Sequence, residues 1–199
     1  MNPTKMLLGI APWIAFSIIA DRLGADRVGL AAAIACLGSL VLALRGARED
    51  GVKIIDAAGV VTFAALGVAG ALASHTARVD LVDFGRGGSA VVLATVMLVS
   101  AFTVPFTEQY ARAQVDRRYW GSPVFRSTNR RISLVWAGSL FVMAAGHLVQ
   151  GALAHSGSSF SGNLLLNFAL PVVLCLGAVK MTQRIADEGS APVAVGGVA

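Results

Sequence analysis

Four polar side chains stand within or at the edge of long apolar runs, and each is of a type that can bind or move something: Asp56, His147, Gln150 and Asn167. In hydrocarbon such groups are costly, and they mark ligand sites, proton relays or helix contacts. His147 and Gln150 are three residues apart, so one helix carries them on nearly the same face. Asn167 lies in the next apolar run, which returns from the same side. The three can therefore line a polar pocket in which the imidazole holds a ligand or changes charge with pH. A plainer reading competes, because polar side chains that simply bond across a helix pair, at roughly 1 kcal/mol each, leave the same pattern. Asp56 comes one turn into its run, after Ile54 and Ile55, and suits either a proton or cation ligand or an interfacial charge beside Lys53.

Enzymatic chemistry asks for partners that this sequence does not supply. It has no deep pair of carboxylates for acid and base work, no Ser placed with a His and an acid, and no phosphate-binding glycine loop. GRGGSA at 85–90 lacks a preceding strand and reads as a loop. Cys36 and Cys175 each sit alone in an apolar run, far from any metal-ligand spacing, and read as small core residues. The expectation is a protein that is not an enzyme and uses no cofactor or metal.

The elements that must position these residues are membrane spans. Hydrophobic residues are 56% of the 199 positions and charged residues 14%, against roughly 25% charged in a soluble domain. With a mean hydropathy of +0.72, most of this surface has to face lipid. A span needs about 20 apolar residues, and six segments qualify or nearly so, at 6–20, 28–44, 54–73, 89–106, 132–154 and 164–181. The fold expected is an all-α six-helix transmembrane bundle forming one domain over 1–184. Residues 185–199, rich in Gly and other small side chains, read as a disordered cytoplasmic tail.

Charge sets the orientation, because cytoplasmic loops carry excess Lys and Arg. Lys5, then Arg45, Arg48 and Lys53, then the six arginines between spans four and five, then Lys180 and Arg184 place twelve of the sixteen basic residues on one side. Arg22, Arg27, Arg78 and Arg86 fall on the other, and AHSGSSFSGN between spans five and six has none. Both termini are therefore expected inside. The net charge of +5 is scattered among apolar spans and gives no footprint for nucleic acid.

Helices in lipid associate through small residues. Ala31, Ala35, Ser39 and Ala43 recur every four positions in the second span, and Gly67 with Ala71, like Gly70 with Ser74, does so in the third. These stripes are the expected helix contacts. The long connection after span four alternates Arg112, Arg117, Arg118, Arg126, Arg130 and Arg131 with Tyr110, Tyr119, Trp120 and Phe125. Glu108 and Arg112, four apart, extend span four as a helix to about Val115, and Gly121 with Pro123 then forces a turn. Tyr and Trp favour the headgroup level, and each cation near an anionic surface contributes about 1 kcal/mol. Arg112, Arg117, Arg118, Tyr119, Trp120, Arg126, Arg130 and Arg131 are thus expected to meet anionic inner-leaflet lipid or an acidic protein partner.

Several of these features occur together in one family. APWIAF in span one, VVTFAALG at 60–67, WGSPVFRSTNRRISLVWAGSLF at the entry to span five and LLLNFAL in span six carry the likeness. On these residues the chain resembles the intracellular septation protein A family of small bacterial inner-membrane proteins, from about residue 6 to 181. It departs from the pattern at His147, where that family has asparagine, and in a longer connection at 74–88. The resemblance implies a non-enzymatic protein of the bacterial inner membrane that serves septation and envelope maintenance. It would act through contacts with other membrane proteins, with an oligomer possible. A transporter using His147, Gln150, Asn167 and Asp56 is the alternative, and a lipid-handling protein the next. The inner halves of spans five and six offer a transported solute little that is polar apart from Ser133 and Lys180.

Overall fold

A computed structural model describes residues 3–157 and 164–190. The described residues are all-helical: α1 Pro3–Leu23, α2 Val28–Arg48, α3 Ile54–Leu72, α4 His75–Phe102, a short α5 Phe106–Ala111, α6 Pro123–His155 and α7 Leu170–Ser190. A 3-10 turn at Ala25–Arg27 joins α1 to α2, and a π-helical turn at Leu165–Ala169 leads into α7. All but α5 are long and apolar enough to cross a membrane, which makes six candidate spans and fits a multi-pass membrane protein.

Local chemistry fixes where several helices begin and end, and some boundaries differ from expectation. Ser74 caps α4, its hydroxyl accepting from the Ala77 N–H at 3.4 Å. The segment 74–88 is therefore helix rather than connection, and GRGGSA lies inside α4, not in a loop. Hydropathy alone does not show this extension, because Asp83 and Arg86 find their partners His155 and Asp21 far away in sequence. Span four does not run on to Val115 either. Helix α4 stops at Phe102, Thr103 and Pro105 leave helical geometry, and Ser100 Oγ accepts from the Phe106 N–H at 3.2 Å to start α5. Glu108 and Arg112 do pair, at 2.6 Å, on this short helix. Ser122 caps α6 with Pro123 at its first position, so span five starts nine residues earlier than 132 and carries Arg126, Arg130 and Arg131 on helix. At the far end α7 continues to Ser190, so the expected disordered tail does not begin at 185. Residues 191–199, like most of AHSGSSFSGN, lie outside the described residues.

Packing follows the small residues. Helices α4 and α6 form the central pair and α2 with α3 a second, while α7 leans on α6. Half of the spanning window of α4 and of α6 is buried, against 11% of that of α7, so α7 is peripheral. Ala31, Ala35 and Ser39 are buried on α2, and Ala43 is half-buried. Gly70 is buried on α3, Gly67 is half-buried and Ala71 exposed. The two backbones meet at Gly29, where an added Cβ would lie 3.2 Å from Ala71 N and 3.3 Å from Gly67 O. An added Cβ would be tight there, and such close backbone approach is how dispersion contacts replace the missing hydrophobic drive in lipid. Polar ties add to this packing: Thr107 Oγ1 donates to Asn129 O at 2.8 Å, joining α5 to α6, and Trp136 Nε1 donates to Thr182 Oγ1 at 3.0 Å, joining α6 to α7.

Candidate functional site

The end of the bundle opposite the basic α5–α6 connection holds a cluster drawn from four elements. Arg86 sits eleven residues into α4, about 16 Å along its axis, and is only 8% exposed. Its Nη2 lies 3.2 Å from Asp21 Oδ1 and donates to Ser17 O at 2.7 Å, both on α1. Among the described residues its Nε and Nη1 have no protein partner. Across from it, His147 Nδ1 and Asn167 Oδ1 are 2.7 Å apart. The amide oxygen accepts in that bond when the imidazole proton is on Nδ1. Gln150 Oε1 is buried with no partner among the described residues. Asn167 stands on the π-helical turn, a geometry that is rare and that frequently marks functional positions.

Two cavities meet at this cluster. A polar vestibule of about 100 Å³ is lined by Asp21, Asp83, Arg86, His147, Gln150 and Asn167. A second cavity of about 450 Å³ shares Arg86, His147 and Asn167 and extends toward the basic end. Its walls are Ile10, Trp13, Leu93, Trp136, Leu140, Met143, Phe168 and Cys175, with Leu7 and Leu176 farther along. Its volume falls in the roughly 300–1,000 Å³ range of small-molecule sites. Ile14 and Ile18 on α1 and Val172 and Leu176 on α7 also line it, yet they are exposed. Helices α1 and α7 make no extensive contact with each other, so the cavity opens sideways between them, toward the region that lipid occupies.

Of the four polar residues singled out in sequence, His147, Gln150 and Asn167 come together here, and Asp56 does not. Asp56 is near the basic end, 5% exposed, facing inward rather than toward headgroups. Its Oδ1 and the Tyr110 hydroxyl flank one point: a Cβ added to Gly9 would lie 3.4 Å from the first and 2.7 Å from the second. Neither atom has a hydrogen-bond partner among the described residues. Lys53 Nζ stands 5.9 Å from the centre of the Tyr110 ring. Burial, and next the Asp56 charge, pushes the Tyr110 phenol above its ordinary pKa. Because an unpartnered buried hydroxyl is a net cost, Tyr110→Phe is expected to raise stability by about 1 kcal/mol. A lowered thermal midpoint in mild detergent would instead reveal a bond that the hydroxyl makes.

The basic connection folds onto itself. Arg112 and Arg117 stand over Trp120 at 5.0 and 5.9 Å, Arg118 over Tyr119 at 4.9 Å and Arg130 over Phe102 at 4.7 Å. Arg131 pairs with Glu188 of α7 at 3.0 Å. Arg126 is exposed, while Phe125 is buried. Cys36 and Cys175 are free thiols.

Sequence reasoning missed Arg86 and Asp21. Arg86 counted as a loop cation, and Asp21, one residue past the end of span one at 20, was given no role. A signal was present: Ser74 is followed by 30 residues without proline, and in them Arg86 is flanked by Gly85, Gly87, Gly88 and Ser89. Small neighbours are what a large buried cation requires of a packed helix. In comparisons with known proteins, no family model, no curated protein and no solved structure matches the chain.

Proposed function

We propose that this chain is a lipid-handling membrane protein that takes a single amphiphile from the bilayer into the cavity between α1, α4, α6 and α7. The observation that carries the reading is the shape and chemistry of that space: a long apolar cavity, open sideways, that ends on a buried cation and a polar vestibule. A solute crossing the membrane needs polar groups along the whole path, whereas here they gather at one end. An amphiphile needs this asymmetry. The basic connection, with its six arginines, argues for that end lying in the cytoplasm. Taking Arg86 out of the loop tally leaves this bias intact. A headgroup in the vestibule and a chain pointing inward would then match a lipid of the outer leaflet.

Trp13 and Trp136 line the cavity, and Trp120 is the remaining tryptophan. In a Trp120→Phe background, reconstituted into phosphatidylcholine nanodiscs, a brominated acyl chain added at low mole fraction is expected to quench both cavity tryptophans. Ala90→Phe, which fills the cavity from α4, is expected to weaken that quenching roughly tenfold in apparent affinity, equivalent to about 1.4 kcal/mol. Equal quenching in the filled variant would remove the cavity as the binding place.

The septation-type scaffold stands as a second reading, favoured by the basic end. A groove of about 610 Å³ lies there, lined by Tyr119, Val124, Phe125, Asn129 and Gly189 among others. Asn129 Oδ1, buried without a partner among the described residues, borders it. Since Gln114, Val115, Tyr119 and Ser122 of the arginine-bearing α5–α6 connection line it, this surface suits an acidic segment of an envelope or division protein of the bacterial inner membrane.

A further inference from the structure

We infer that the amphiphile carries an anionic head, and that the head binds by exchange, taking the Arg86 guanidinium from Asp21. This inference rests on the cavity reading above and names the chemistry of its polar end.

The guanidinium is the only cation lining either cavity among the described residues. It is held at one nitrogen, Nη2, which serves Asp21 and Ser17 O together. Its other two nitrogens, Nε and Nη1, are without protein partners among the described residues, and each forms a fork only together with Nη2, so a carboxylate or phosphate gains paired hydrogen bonds by taking Nη2 from Asp21. Asp21 is a replaceable partner. Its side chain is 33% exposed against 9% for that of Arg86, so on release the carboxylate gains water while the arginine does not. The other acid of the vestibule, Asp83, is engaged elsewhere, 3.3 Å from His155 Nδ1. Gln150 Oε1 offers an acceptor that the protein leaves unused, and it suits a hydroxyl carried by the head.

An anion that displaces Asp21 therefore gains a charged donor pair on a largely buried side chain, where hydrogen bonds are strong. A neutral head would have to leave the Arg86 to Asp21 pair in place and bind beside it. A cationic head would face the guanidinium at the neck between vestibule and cavity. The same chemistry is offered by a free fatty acid and by an anionic phospholipid that inserts one chain.

The test uses the full chain in phosphatidylcholine nanodiscs and reads quenching of Trp13 and Trp136 by probes of equal chain length. Dibromostearate is expected to bind at least about tenfold more tightly than dibromostearyl alcohol, the factor that one charge-assisted contact supplies. In the double variant Arg86→Gln with Asp21→Asn, which leaves no lone charge behind, that preference is expected to fall to near unity. Equal binding of acid and alcohol by the unaltered protein would overturn the anionic head and leave the cavity reading standing. Tighter binding of dibromostearylamine would overturn it too. Absence of quenching by every probe would defeat the cavity reading itself. The wild-type comparison decides even where the double variant does not fold. A parallel titration with brominated phosphatidylglycerol separates the sources: quenching as strong as by the free acid assigns the head to a bilayer phospholipid, and quenching by the acid alone assigns it to a fatty acid.

Discussion

Asp21→Ala is expected to lower stability by about 3 kcal/mol, because it leaves the largely buried Arg86 guanidinium without its ion-pair partner. The lower part of the usual range for breaking a buried pair applies, since Asp21 is one-third exposed and Arg86 keeps its bond to Ser17 O. For a chain of this length such a loss moves a thermal midpoint by roughly 6–12 °C. Arg86→Leu with Asp21→Ala should recover most of it. Removing both charges removes the need for compensation, and apolar replacements of buried pairs are often neutral or better. The double-mutant cycle, read from midpoints in mild detergent, isolates the pair. A single variant as stable as the parent would mean that Arg86 reaches water or lipid phosphate by another route. The prediction bears on function as well, because the pair that strains the fold when half-removed is the one that an anionic head exchanges with.

Much of the architecture can be read from composition, and the reason is physical. A span must be about 20 apolar residues whatever its neighbours do, so six runs stand out before any contact is known. The polar trio His147, Gln150 and Asn167 is legible for the same reason: a polar residue in an apolar run has few explanations. Arg86 was hidden by the same logic turned around. A cation near a run's edge is assigned to a loop unless its counter-charge is visible, and Asp21 is 65 positions away in sequence, brought close only by packing of α1 on α4. The break at Thr103 to Pro105 was obscured by the Glu108 and Arg112 pair, which fits a continuing helix as well as the short α5 that forms. Asp56 shows the limit of depth arguments. One turn from the start of a span suggests an interface, but α5 folds back over that turn and buries the carboxylate under Tyr110. Gln109, also on α5, accepts from the Ile54 N–H at 2.9 Å and anchors the fold-back.

Two glycines on α6 should respond oppositely to the same substitution. At Gly151 an added Cβ would collide with the backbone carbonyl of Asp83 on α4 and lie 3.2 Å from a Phe84 ring carbon. Backbone cannot step aside as a flexible side chain can, so the helices must separate, and overpacking of this kind costs typically about 1–3 kcal/mol. At Gly138 the same Cβ meets open space, and alanine should gain roughly 0.5–1 kcal/mol from helix propensity alone. Gly151→Ala is thus expected to lower the thermal midpoint by several degrees and Gly138→Ala to raise it slightly, in one detergent and one assay. The site should feel the difference. Gly151 borders the vestibule, one residue from Gln150 and four from His147, so a forced separation of α4 from α6 pulls His147 away from Arg86. The acid-over-alcohol preference should then shrink in Gly151→Ala even where the protein still folds, and be unchanged in Gly138→Ala. An unchanged preference in Gly151→Ala would mean that the neck of the cavity is held by α1 and the π-helical turn rather than by the α4 to α6 contact.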